Sequence, residues 1–536
     1  MAFYSLAALL LTWLVPVLAI TVTDGDGSFT VNTESSYGFS TTISTSSCDI
    51  TSLKYYGTEY QYSGTYSHIA SGLGSATVSY STSGSYVIVQ CVASSSDFDL
   101  THYMVFVDGA NDIWMGTYTN SEPAIGELRF IFRLTTLEDA YPFGDVSNTA
   151  GGSVVEGSDV FLVDGETRSK FYSSERFIDD DVYCATDSGA SIHACWVRPD
   201  NKATEKSSGG PFFRDIDLNW GGDYHSVTYY MNSGHVQTEA YRQGFHGPYV
   251  FSFTRSGIPT ASSYDSSFFD DLGLLGYNGA SERGTVSGTA TGVSSDFPIV
   301  LHWFNDDYQG WTYASSSGAF TSPALVAGTY TMVLYQDELN AASQSVTVTA
   351  GGSTTADIAA TNEILTGTRT TVFQLGDYDG QPTGFLNADN QLRMHPSDSR
   401  MSDWTPGTVS SSDASAFPMA IFKSVNDGTA ISFNLDSAVD SEATIRIATT
   451  LSFAGGRPQA TVNSYACDGP AAPTAIDSRG VTRGAYRGFG DVYTCTIPSG
   501  TLVAGDNSVT INVISGSSGD TYLSPNVVFD AIELFY

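Results

Sequence analysis

The chain has 536 residues, with 22 Lys and Arg against 57 Asp and Glu, giving a formal net charge of −35. So acidic a surface repels phosphate and excludes nucleic acid as a natural partner. It also makes any cluster of the scarce basic residues informative, and the length leaves room for several domains.

Residues Met1 to Ala19 are apolar, carry no charged side chain and include the run Leu9-Leu10-Leu11. Val17-x-Ala19 supplies the small-residue pattern of a cleavage site, and polar sequence with Asp24 and Asp26 follows. The segment reads as a secretory signal peptide removed after Ala19, so a secreted, extracellular protein is expected. No later stretch approaches the roughly 20 apolar residues that a spanning helix needs, and no membrane partner is expected. The six cysteines, Cys48, Cys91, Cys184, Cys195, Cys467 and Cys495, are an even number in a secreted chain and suggest disulfides. Their clustering favours the local pairs Cys48–Cys91, Cys184–Cys195 and Cys467–Cys495. None has the paired spacing of a zinc site.

Alternation of apolar and polar positions dominates the chain. Residues 75–91 illustrate it: Ala-Thr-Val-Ser-Tyr, a Ser-Gly turn, then Tyr-Val-Ile-Val-Gln-Cys, a hairpin pattern. No helical period persists, so the fold class is all-β, packed as sandwiches. Three textures follow in order. Residues 20–280 hold most of the His and the densest Arg and Lys motifs. Residues 281–365 are a compact run of short strands that fits one small fibronectin type III-like or prealbumin-like sandwich. From 366 to 536 the strands lengthen, ending in the alternating run Phe529-Asp-Ala-Ile-Glu-Leu-Phe-Tyr, which suits a jelly roll of the carbohydrate-binding type.

In Gly126-Glu127-Leu128-Arg129-Phe130-Ile131-Phe132-Arg133, Arg129 and Arg133 lie four residues apart and share one face of a strand. Arginine suits carboxylates because its planar fork binds bidentately; the bland reading is a solvated face with an Arg–Glu pair. In Glu166-Thr167-Arg168-Ser169-Lys170-Phe171-Tyr172, continuing to Arg176, three cations gather in a chain with five lysines. Lys170 beside arginines has its charged form disfavoured, which prepares it as a base; a surface lysine paired with Glu166 or Glu175 is the plainer alternative. Residues 229–242, with Tyr230, His235, Glu239 and Arg242, mix aromatic, amide, imidazole and guanidinium groups densely, as a sugar-binding trough does. The run Asp179-Asp180-Asp181 reads as a solvated turn rather than as a glycosidase pair.

Residues 126–133, 167–177 and 230–241, together with Ser452-Phe-Ala-Gly-Gly-Arg457-Pro-Gln-Ala and Asp477-Ser-Arg-Gly-Val-Thr-Arg-Gly-Ala-Tyr-Arg-Gly, resemble fungal rhamnogalacturonan lyases of polysaccharide lyase family 4. The resemblance runs from about residue 40 to the C-terminus. It implies an N-terminal β-super-sandwich of the galactose-mutarotase kind, a fibronectin-like middle domain and a C-terminal jelly roll. It places the family's catalytic Lys and His on Lys170 and His235, its Arg pair on Arg129 and Arg133, and an active-site Tyr on Tyr230. Where a second aromatic is expected two residues before Tyr230, this chain has Thr228.

The reaction so implied is β-elimination in rhamnogalacturonan I, a pectic polysaccharide, by a monomer that requires no cofactor for catalysis. Glu239 and Arg457 are taken as further substrate contacts, with Arg479, Arg483 and Arg487 recurring beyond Arg457. Asp377, Asp379 and Asp530 form a set able to bind a structural calcium through oxygen ligands, exposed turn carboxylates being the alternative. Two other function classes compete: a noncatalytic carbohydrate-binding protein, and a glycoside hydrolase acting on pectin.

Overall fold

A computed structural model describes residues 19–536 apart from 125–126, 144–145, 147, 235–238, 391–395, 397, 399–400, 402, 475–489 and 520. The signal-peptide segment therefore lies outside the described residues except for Ala19. So do His235, Arg479, Arg483 and Arg487.

The described chain is almost all β; its helical content is one four-residue α-helix, Glu363–Thr366, and short 3-10 turns. In the N-terminal domain an eight-stranded antiparallel sheet runs in the order Asp139–Tyr141, Val182–Thr186, His193–Val197, Gly244–Thr254, Asp112–Ser121, Asp99–Val107, Tyr86–Ser94, Thr77–Ser83. A four-stranded sheet, Leu218–Trp220, His225–Asn232, Leu128–Leu134 and His68–Ile69, packs over it. Side chains alternate across a strand, so Leu128, Phe130, Phe132 and Leu134 all point inward and are fully buried. Phe132 stacks on Phe251 of the larger sheet with centroids 3.6 Å apart. Trp196 sits against Phe130, Phe132, Tyr229, Tyr249 and Phe251, and its buried indole N–H donates to the Val227 carbonyl at 3.1 Å. The inward half of the strand Leu128–Leu134 thus anchors the sandwich. Its outward half is left for other work.

The middle domain is a small sandwich. One sheet centres on Arg283–Thr291 and the other holds Gln309–Tyr313, Ile299–Phe304, Gly328–Gln336 and Leu339–Val348. The C-terminal domain opposes two five-stranded sheets around a core that includes Phe417, Ile431, Val462 and Val527. All three expected disulfides are present, and Cys184 and Cys195 are direct partners on neighbouring strands.

The closing strand, Asn526–Phe535, departs from the sequence reading. Its alternation predicts one solvent face, yet residues 526–534 are all buried. The reason is a second cover: Tyr378, Ala448 and Ala531 pack with Leu339, Ile364 and Leu365, so the middle domain and its linker shield the face that alternation assigns to water. Glu533, fully buried there, is satisfied by Arg369 Nε at 2.6 Å, Thr371 Oγ1 at 2.8 Å and the Tyr378 hydroxyl at 2.8 Å.

Buried ion pairs join the domains. Arg283 grips Glu205 through two bonds of 2.6 and 2.9 Å. Arg176 and Arg214 converge on Glu338, at 3.4 and 2.8 Å, and the Glu338 N–H continues to the Asp379 carbonyl at 2.8 Å.

Candidate active site

The outward face of the four-stranded sheet is a grid whose register fixes its chemistry. On the strand Leu128–Leu134, Arg129, Ile131 and Arg133 point outward. Their partners on one side are Tyr230, Thr228 and Ser226, and on the other His68 lies opposite Ile131. Residues two positions either side of a direct partner are still within reach across a sheet. His68 therefore faces both arginines.

The contacts follow that register. The Arg129 guanidinium donates to the Tyr230 hydroxyl at 3.1 Å and pairs with Glu127 at 2.7 Å. Arg133 donates to the Tyr66 carbonyl at 3.0 Å and lies 3.3 Å from His68 Nε2. Burial pushes His68 down to about 4, with Arg133 and Arg129 adding to the effect, so its imidazole is neutral at ordinary pH and Nε2 accepts from Arg133. Burial also lowers Arg133. Tyr62 and Tyr224 stack beside it at 4.6 Å, giving the arginine pair an aromatic flank suited to a pyranose ring. His68, Tyr62, Tyr66 and Tyr224 are absent from the sequence-derived set. The strand His68–Ile69 is two residues long, too short for a periodicity to reveal.

Lys170 reaches the same region from a different element. The strand Glu166–Ser169 is extended, but the chain turns at Lys170 into the 3-10 segment Lys170–Ser173, whose first turn is capped when Ser169 Oγ accepts from the Phe171 N–H at 3.1 Å. The Lys170 N–H donates to the Asp159 carbonyl at 2.9 Å. Ser173 Oγ bonds both the carbonyl and the N–H of Leu218 at 2.9 Å, pinning the turn to the four-stranded sheet. The Lys170 ammonium lies 5.6 Å from the Phe161 ring centre. Burial lowers it below the ordinary lysine value, Asp159 opposes this and Arg129 adds to it. Partial desolvation and a nearby guanidinium both make a lysine easier to deprotonate.

The turn at Lys170 also corrects the sequence reading of a three-cation cluster. Arg176 is carried away from Lys170 to bind Asp179, Asp337 and Glu338 at the middle-domain boundary. Arg168 pairs with Glu166 at 2.8 Å. The aspartate run is not a simple solvated turn either: Asp180 is buried against Arg198 at 3.3 Å, and burial pushes it up to about 7.

Glu239 is placed beside Arg242, which binds both its carboxylate oxygens at 2.7 and 2.8 Å, while the Gly209 N–H donates to it at 2.7 Å. Arg242 in turn bonds the carbonyls of Ser207 and Asn305, so this pair braces the junction with the middle domain. Arg457 bonds the carbonyls of Pro470 at 2.7 Å and Gly455 at 3.1 Å, both in its own domain. Asp379 and Asp530 are brought together and buried, whereas Asp377 is exposed. Asp530 Oδ1 accepts from the N–H groups of Asp379 and Gly380 at 3.1 and 2.8 Å. Among the described residues, no cluster of three or more His, Cys, Asp or Glu is arranged to hold a metal. Two of the three carboxylates therefore meet, and Asp377 does not join them.

Family models match almost the whole chain: "Rhamnogalacturonan lyase B, N-terminal" over residues 20–276, "Polysaccharide lyase family 4, domain II" over 282–356 and "Polysaccharide lyase family 4, domain III" over 371–534. Rhamnogalacturonate lyase A of Emericella nidulans is 58% identical over 520 residues, 96% of each chain. Rhamnogalacturonate lyase A of Aspergillus aculeatus is 58% identical over 521 residues, again 96% of each. Among solved structures, a putative aldose 1-epimerase from Klebsiella pneumoniae aligns over 46% of this chain and 83% of its own at 8% identity and a TM-score of 0.24, too slight a likeness to add to the sequence relationship. This chain belongs to polysaccharide lyase family 4, among its fungal rhamnogalacturonan lyases.

Proposed function

We propose that this polysaccharide lyase breaks the galacturonate C4–O4 bond and so releases O4 with the adjoining rhamnose of rhamnogalacturonan I, with Lys170 as base and the Arg129–Arg133 pair as electrophile. H5 of a galacturonate is acidified only by its neighbouring carboxylate, which resists further negative charge. Two guanidiniums aimed at that carboxylate stabilise the charge that develops as H5 leaves. Neutral Lys170 takes the proton, the C5–H electrons form the C4–C5 double bond, and the C4–O4 bond breaks. His235, from the sequence motif, protonates the departing oxygen.

The observation that carries this reading is the convergence of three cations, Arg129, Arg133 and a depressed Lys170, in one region of a protein with net charge −35. That local reversal gives a polyanion a place to land. The guanidiniums occupy the role that a metal plays in other eliminations, so the chemistry needs none. For the C-terminal domain we propose a structural calcium on Asp379 and Asp530, away from the reaction. Incubating purified protein with rhamnogalacturonan I tests the assignment: elimination yields a product that absorbs in the ultraviolet through its double bond conjugated to the carboxylate. New reducing ends without that absorbance indicate a hydrolase, and neither signal indicates a binding protein.

A further inference from the structure

The strand that leads into Lys170 is held by a residue from another domain. Glu166–Ser169 is the edge of a three-stranded sheet, behind Val160–Val163 and Ser153–Glu156. An edge strand presents backbone N–H groups with no sheet partner, and a buried one needs an acceptor from elsewhere. For Thr167 that acceptor is Asp398, 231 residues later in the C-terminal domain. One carboxylate oxygen of Asp398 accepts from the Thr167 N–H at 2.8 Å and from Thr167 Oγ1 at 2.6 Å. Thr167 is 4% and Asp398 6% exposed, so both bonds are shielded from water, and bonds to an ionised acceptor are the stronger kind.

Two residues, Arg168 and Ser169, separate this clamp from Lys170. Thr167 and Ser169 share the buried face of the strand, and Ser169 caps the turn that Lys170 begins. Fixing Thr167 therefore fixes the direction in which the turn leaves the sheet. The other fixings, Asp159 to the Lys170 N–H and Leu218 to Ser173, come from the N-terminal domain itself.

We propose that Asp398 is a positioning residue for Lys170, making the C-terminal domain part of the catalytic apparatus rather than a separate binding module. The proposal rests on Lys170 being the base. The charged groups facing Lys170 are Asp159, ahead of the neighbouring strand, and Arg129 from the four-stranded sheet, with the paired Glu166 and Arg168 on its own strand. Loosening the clamp lets water reach the ammonium, which raises the pH at which it becomes neutral.

The test compares Asp398→Ala, Asp398→Asn, Thr167→Val and Lys170→Ala with the unaltered full chain, measuring elimination kinetics across pH and thermal unfolding. Asp398→Ala is expected to lower kcat on the order of 10- to 100-fold, the size of effect that a small misplacement produces. KM should change little, and the acid limb of kcat/KM should move to higher pH. Asp398→Asn keeps an acceptor oxygen in place and should recover most of the loss; Thr167→Val, lacking only the hydroxyl bond, should fall between. A folded Asp398→Ala protein with unaltered kcat and an unmoved acid limb overturns the proposal. If that variant unfolds early, Thr167→Val decides by the same two criteria. Full turnover in Lys170→Ala would instead remove the base assignment, whatever Asp398 does.

Discussion

Arg129 and Tyr230 are direct register partners on adjacent strands, and the guanidinium donates to the phenol oxygen at 3.1 Å. With Glu127 on the same guanidinium at 2.7 Å, the fork is oriented before any substrate arrives. Preorganised donors of this kind are what a developing carboxylate charge requires.

Replacing Arg129 or Arg133 with Lys keeps the charge but not the planar, two-pronged geometry. Each substitution should lower kcat/KM by about 10²- to 10³-fold, the usual effect of removing one preorganised donor, with little change in melting temperature. Steady-state kinetics on rhamnogalacturonan I checks this. Full activity in Arg133→Lys would mean that simple charge suffices there.

Buried acids dominate the pH dependence of stability near neutrality. Burial pushes Asp112 up to about 6, Glu122, Asp180 and Asp379 up to about 7, and Asp217 and Asp530 well above the ordinary carboxyl value. These groups hold protons in the folded state that the unfolded chain has already released, so stability falls as pH rises through their folded values. The neutral buried histidines act oppositely. His68 and His225 are pushed down to about 4 and His102, His246 and His302 to about 3, while the unfolded chain binds their protons below about 6.5. Their effect is destabilisation on acidification, confined to the region below that value. The melting temperature should therefore drop between about pH 6 and pH 8 and flatten below pH 6. Calorimetry across that range measures it, and a steady rise toward pH 8 would contradict the assignment.

Asp379 and Asp530 sharpen that expectation, because two adjacent buried carboxylates repel once both are ionised. Calcium should raise the melting temperature of the metal-depleted protein above neutral pH and have little effect near pH 5, where a shared proton does the same work. Elimination rates should be unchanged by chelation at temperatures well below melting. Equal calcium stabilisation at both pH values would rule out this pair as the binding position.

The arginine pair was legible because strand periodicity alone puts Arg129 and Arg133 on one face. Lys170 stands out because lysine is so rare in this chain, while its role as base comes from the family resemblance and is a proposal. The order of the three β domains followed from strand texture. Other features depend on contacts that no local pattern encodes. Closeness in sequence groups Arg176 with Lys170, but the 3-10 turn at Lys170 carries Arg176 away to the middle-domain boundary. His68 sits in a two-residue strand whose identity comes only from pairing with Ile131. Asp398 meets Thr167 through domain packing. The buried outer face of the last strand likewise reflects the covering middle domain, which alternation within one strand cannot report.

The most direct test of the account is the elimination rate of Lys170→Ala on rhamnogalacturonan I, followed by ultraviolet absorbance on protein shown by melting to be folded. Lys170 is half-buried and, among the described residues, its side chain has no hydrogen bond to the core, so the variant should keep its fold. The account predicts a loss of at least about 100-fold in kcat, the usual contribution of a general base. A folded Lys170→Ala protein that turns over near the unaltered rate would contradict it.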